Sequence, residues 1–277
     1  MSPVKIWWLF ISIAAVINIA LWFYSAAKIS NRKDILDPHT RKWRHALLWL
    51  SGIYVIGCAF RSFLPRIDLE RICLVGTWMS SMLAGRTVAT VAEIAIIVQC
   101  SILLHEAGKG AEDQLSIWVA RLIVPIILVA ECSSWYAVIT TNYLASVIEE
   151  SLWTVSGILL LFSFISLWAR VTRIQRYFLL AMLLFCIGYI IFMVGVDVPM
   201  YWHRYRQDTV MGVGYLSLTQ GILDSAKACI VSFNWSVWRQ DIIWMTLYFT
   251  VAVWASILLA HAPDFSKKST VQTENKE

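Results

Sequence analysis

Seven apolar stretches decide what this chain can fold into. A helix crossing a hydrocarbon core takes about 20 residues, and runs of roughly that length lie at residues 4–27, 46–63, 83–104, 115–139, 144–168, 177–196 and 242–260. Lipid offers no partner for a backbone N–H or C=O, so such runs satisfy those groups internally, as helices. The expected fold is therefore all-α: a polytopic membrane bundle of seven transmembrane helices. Hydrophobic residues make up 59% of the chain and charged residues 15%, a balance that excludes an ordinary soluble domain. Residues 209–233 are moderately apolar but carry Asp224 and Lys227; if they span, the count becomes eight. The first run ends in a small-residue stretch, Ser25 to Lys28, that resembles a signal cleavage site. Its apolar length exceeds the roughly 7–15 residues of a signal core, so it reads as the first helix.

Loop charge sets the expected orientation, because cytoplasmic connections carry the excess of Lys and Arg. The first link holds Lys28, Arg32, Lys33, Arg41, Lys42 and Arg44; Lys109, then Arg170, Arg173 and Arg176, then Lys267, Lys268 and Lys276 fall on the same side. The N-terminus is thus expected outside and the C-terminus inside. The net charge of +5 follows from this excess and gives no separate reason to invoke nucleic acid. Residues 1–262 form the expected membrane domain, with residues 197–240 an outer connection containing an amphipathic or re-entrant helix. Residues 263–277 are polar and aperiodic, which predicts a disordered cytoplasmic tail. Trp7, Trp8, Trp43, Trp118, Trp168, Trp202, Trp238 and Trp244 fall near the ends of the runs, as aromatic belts do. The six cysteines, Cys58, Cys73, Cys100, Cys132, Cys186 and Cys229, show no paired motif and read as packing thiols, with a disulfide as the alternative for Cys58, Cys73 and Cys229 where they approach the oxidising face.

The informative residues are those that membrane burial makes costly. Arg86 and Glu93 lie seven residues apart on one helix face with Thr90 between them, about 10 Å apart along the axis. That is long for a direct pair, so each is expected to need a partner on another helix. Arg86 can alternatively snorkel to the headgroups. Glu93 has no such escape, and an acid at that depth faces the bundle interior or a wet cavity. Helix four adds Glu131, with Trp135 one turn on and Asn142 near the same face; Pro125 can kink this helix. Glu149 and Glu150 open helix five, where Ser146 followed by Glu149 matches a capping box. Helix six ends at Asp197, with Pro199 as an expected stop. Arg61, Arg66, Asp68 and Glu70 lie in the short outer connection between helices two and three and either complete a charged mouth or are simply solvated. Together these groups suggest one externally open pocket.

Carboxylates so placed can hold a divalent cation, act as acid and base, or relay protons. The reading favoured by sequence is a membrane-embedded enzyme acting on a lipid-like substrate, with Glu93, Glu131 and Glu150 catalytic and Arg86, Asp197, Asn142 and Trp135 binding substrate. The alternative is a proton- or cation-coupled transporter or a membrane sensor that binds a small-molecule ligand. Membrane lipids are the expected surroundings. The metal, if any, is undetermined; a site of His45, His105 and His261 at the inner edge is the histidine alternative, and His39 lies nearby. No lysine lies in helix seven, which argues against retinal.

Overall fold

A computed structural model describes residues 2–31 and 38–265. The helices are α1 (Pro3–Ser30), α2 (Pro38–Phe63), α3 (Met82–Ala111), α4 (Gln114–Thr140), α5 (Tyr143–Trp168), α6 (Arg173–Phe192), α7 (Val198–Met211), α8 (Leu218–Ser225), α9 (Trp235–Trp238), α10 (Ile242–Phe249) and α11 (Val251–Ala260). Seven helical segments are long and apolar enough to cross a membrane. Five are single helices; the sixth is α6 and α7 run together, and the seventh is α10 followed by α11. Residues 209–233 do not span: they hold the end of α7, the eight-residue α8 and a two-residue strand. The tail from residue 266 onward lies outside the described residues, as do Arg32 and Lys33. Before it, Phe265 packs against Phe178, and Gln175 Nε2 donates to the Asp264 carbonyl at 2.6 Å.

Short connections make sequential helices antiparallel neighbours. The α3–α4 link is Glu112 and Asp113, and the α4–α5 link is Thr141 and Asn142. Glu112 and Thr141 take left-handed backbone conformations, which close a helix end in place of glycine. Asp113 then caps α4, accepting from Ser116 N at 3.2 Å, and Asn142 caps α5, accepting from Leu144 N at 2.9 Å. Both cap by supplying an oxygen to an otherwise unpaired first-turn N–H.

The expected helix stop at Pro199 is not observed. Met193–Asp197 form a π-turn, and the helix continues through it into α7. Proline lacks an N–H and sits well in a first turn; the π-turn re-registers the ladder there, so the missing donor breaks nothing. The seventh segment is broken instead, at Thr250, whose φ of −121° and ψ of −74° leave the helical region. The Phe249 carbonyl freed by this break accepts from Asn18 Nδ2 at 2.9 Å, and Asn18 Oδ1 accepts from Trp254 Nε1 at 2.9 Å.

The loops between α2 and α3 and between α7 and α10 meet at one end of the bundle. Strands β1 (Arg66–Ile67), β2 (Ile72–Cys73) and β3 (Ile230–Val231) pair in the order β1-β2-β3. Cys73 and Cys229 form a disulfide; these two are therefore not packing thiols, and the sheet registers the two loops so that the sulfurs meet. Arg71 Nε pairs with Asp224 at 2.9 Å, and Arg204 bridges Asp241 at 2.8 Å and Glu70 at 3.2 Å. Not every tryptophan near a run end is free to face lipid. Trp118 and Trp202 are exposed, but Trp238 is buried against Trp7, and its Nε1 donates to the Ser232 carbonyl at 2.8 Å. The half of the bundle away from the disulfide packs on an apolar cluster that includes Leu47, Ile97, Leu104, Ile123, Leu167 and Leu259.

Candidate functional site

Helix α3 supplies the centre of the site. Its N-cap Ser81 accepts from Ala84 N at 3.3 Å, so Arg86 falls in the first turns and Glu93 two turns deeper. The two do pair directly, contrary to the sequence expectation: Arg86 Nη2 donates to Glu93 Oε2. The guanidinium lies along its own helix, with Nε 3.4 Å from Thr90 Oγ1, and so its long side chain covers the two turns. The same Nη2 donates to Glu131 Oε2 of α4 at 2.7 Å, and Nη1 lies 3.5 Å from Glu149 Oε1 of α5. Arg86 is 5% exposed, which excludes snorkelling within this bundle. One guanidinium is thus shared by carboxylates from three helices, a charge-assisted arrangement in which the cation offsets the burial of the acids, with Glu131 Oε1 left unpaired.

Neighbouring groups complete the set. Thr90 Oγ1 donates to Glu131 Oε2 at 2.6 Å and accepts from Trp135 Nε1 at 3.0 Å. Tyr248 donates to Glu93 Oε1 at 3.0 Å. Arg61 of α2 lies 4.0 Å from Glu93 and 3.9 Å from Asp68, and its guanidinium faces the rings of Trp244, Tyr248 and Phe249. Asp68 in turn holds Arg66 Nε at 2.7 Å. Arg66 is 2% exposed and lies flat on α3 at Gly85, where an added Cβ would overlap the guanidinium; its two Nη atoms have no hydrogen-bond partner. Burial lowers the Arg66 pKa, against the opposing pull of Asp68. The chain of charge therefore runs from the loop beneath the disulfide into the bundle, through Arg66, Asp68, Arg61, Glu93 and Arg86.

Of the residues singled out from sequence, Arg86, Glu93, Glu131 and Trp135 come together. Asn142 does not join them; it caps α5. Glu150 and Asp197 lie outside ion-pair distance of Arg86 among the described residues. Glu149, read as a capping residue from sequence, is nearly two turns inside α5 and belongs to the Arg86 network. Tyr248 escaped sequence reasoning altogether, and the available signal was a phenol buried at mid-helix that needs an acceptor.

Among the described residues no group of three or more His, Cys, Asp or Glu side chains is arranged to hold a metal ion, the trio of His45, His105 and His261 included. Arg86 occupies the point on which the three carboxylates converge. Glu93 Oε2 and Glu131 Oε2 both accept from the same Arg86 Nη2, which sets two acids side by side on one cation, where like charge favours a proton on one of them. The arrangement is suited to holding and moving protons. An apolar groove of about 520 Å³ among Pro3, Ile6, Trp7, Phe10, Trp235 and Ile242 lies elsewhere, with no charged side chain lining it. No protein-family model, curated protein or solved structure matches the chain.

Proposed function

We propose that this protein is a multi-pass sensor of the cell membrane, in which proton exchange at the Arg86 network, reached from the disulfide-bearing face, shifts the packing of α3, α4 and α5. The observation that carries this reading is the sharing of one guanidinium by Glu93, Glu131 and Glu149 from three helices. Adding or removing one proton changes which carboxylate Arg86 holds most closely, and each carboxylate belongs to a different helix. The Arg86 network is confined to the disulfide-bearing half; the opposite half packs on apolar side chains, with neutral Gln99 and Ser256 hydrogen-bonded to each other among them and Asp113 capping α4 at its end. That division favours a sensor over a carrier, which needs access from both faces. A disulfide requires an oxidising compartment, and together with the loop charges it supports the N-terminus outside.

The test is tryptophan fluorescence of the protein in lipid nanodiscs across mildly acidic to neutral pH, read as the difference from Trp135→Phe because the chain holds 15 tryptophans, since Trp135 donates to Thr90 directly. A reversible transition is expected in the wild type and its loss in Glu131→Gln. A pH-independent wild type would sink the proposal. Proton uptake by reconstituted vesicles, if it occurs and is lost in the same variant, would replace the sensor by a proton-coupled carrier.

One atom favours a second reading, a membrane enzyme acting on a lipid-like substrate. Glu131 Oε1 is buried without a hydrogen-bond partner, leaving lone pairs for acid–base work on a bound headgroup. Lipid co-purifying with the wild type and absent from Glu131→Gln, seen by native mass spectrometry, would support it.

A further inference from the structure

Glu150 and Asp197 take no part in the Arg86 network, yet helix geometry sets them opposite each other. Tyr189 of α6 packs on Gly157 of α5, where an added Cβ would lie 3.1 Å from its ring. The two helices are antiparallel, so approaching the disulfide-bearing end means descending along α5 and ascending along α6. Two turns along α5 from Gly157 is seven residues, which places Glu150 on the same face. Two turns from Tyr189 along an uninterrupted helix would reach residue 196, but the π-turn at Met193–Asp197 adds one residue, so the inward position becomes Asp197. The burial pattern agrees, with Val194, Gly195 and Val196 exposed and Asp197 buried. Two turns further along α5 stands Tyr143, whose ring lies 6.3 Å from that of Tyr201, one turn beyond Asp197. The acids are therefore bracketed by aromatic contacts on both sides, and Tyr189 and Tyr201 are each within electrostatic reach of both.

No basic side chain among the described residues lies within ion-pair distance of either acid. The nearest guanidiniums are already paired, Arg86 with Glu93, Glu131 and Glu149, and Arg204 with Asp241 and Glu70 while it lies over the rings of Tyr143 and Tyr201. Asp197 is 6% exposed and its Oδ1 has no hydrogen-bond partner. A buried oxygen of this kind is costly unless something donates to it or coordinates it.

We propose that Glu150 and Asp197 form a site for a monovalent cation, an alkali ion or a protonated amine, held between the two carboxyl groups on the Tyr189 side, away from the Arg204 guanidinium that covers Tyr201. Two carboxylates and the Tyr189 phenol supply oxygens and one π-face suited to a single positive charge. A divalent ion would demand more oxygen ligands than this pair offers. The site stands apart from the Arg86 network, and its existence does not depend on that network being driven by protons.

Thermal unfolding of the purified full chain in detergent tests the site. At mildly alkaline pH and constant chloride, sodium or methylammonium is exchanged against the bulky N-methylglucamine cation. Above half-saturation, each tenfold rise in the bound cation should raise Tm by about 3–6 °C. Asp208→Asn, half-buried about three turns further along α7, should keep the rise and Glu150→Gln should lose it; Asp197→Asn reads the same site if Glu150→Gln does not fold. A response to sodium alone identifies an alkali ion, and a response to methylammonium identifies an amine site. A wild type that melts alike in all three cations overturns the proposal, as does a rise that persists in the Glu150 or Asp197 variant.

Discussion

Asp68 decides how the cap over the network responds to acid. Burial by itself pushes its carboxyl up, but Arg66 at 2.7 Å and Arg61 at 3.9 Å outweigh burial and hold it below the ordinary aspartate value. A folded value below the unfolded one means stability that is fully present above about pH 4 and is lost as pH falls through the lower folded value. Glu70 has the opposite sign. Burial raises it in spite of Arg204, so its contribution is present at low pH and lost as pH rises through the folded value. Hydrogen exchange of residues 64–81 should therefore quicken as the pH is lowered into the acid range, after correction for intrinsic rates. In Asp68→Asn that acid limb should disappear, with the variant already destabilised at neutral pH by about 3–5 kcal/mol, the cost of stranding a buried partner charge. An unchanged acid limb would show that Asp68 is not the group responsible. Single residues were legible in sequence to the extent that their cost was visible. Arg86, Glu93 and Glu131 stand out because membrane burial penalises charge. Their mutual pairing was not legible, because helical rise measures the distance between backbones and the arginine side chain spans most of it.

At the scale of elements, the seven spans could be read directly, since length and apolarity are properties of the sequence alone. The two irregular ones could not. Nothing in residues 242–260 marks the break at Thr250, and Pro199 suggested a stop where the helix passes through a π-turn. In both cases tertiary partners determine the outcome, and at Thr250 the partner is identifiable. Asn18 ties the Phe249 carbonyl and the Trp254 indole to α1, an arrangement that sustains non-helical backbone where neighbouring protein, rather than lipid, meets it. Asn18→Leu fits the apolar surface of α1 but leaves both groups unpaired, at about 1–3 kcal/mol each. The expected result is a lower melting temperature with intact helix content and with hydrogen exchange increased around residues 245–254. If exchange in that segment is unchanged, the break is intrinsic to α10 and α11 and Asn18 does not support it.

For the whole molecule, the disulfide and the network form one mechanical path. Cys73–Cys229 joins chain segments 156 residues apart, binding the loop that carries Arg66 and Asp68 to the loop that follows α7. That loop reaches the network through Asp68 and Arg61, so cap and bundle should loosen together. Removing a native disulfide costs about 2–5 kcal/mol; Cys73→Ser with Cys229→Ser should lower Tm and weaken the pH response of Trp135 fluorescence, although neither cysteine touches Arg86. A fluorescence transition that is unaltered in this variant would uncouple the cap from the network. The same bond reports orientation. In intact cells, a membrane-impermeant maleimide applied after mild reduction should label Cys73 and Cys229 while the buried Cys58 stays protected. Labelling that requires permeabilised cells would instead place this face in the cytoplasm, and the network would then sense the interior of the cell. The sequence pattern of basic loops and the pairing of these two cysteines are independent physical signals, one set by insertion and the other by redox compartment. The labelling tests whether the two agree on a single face.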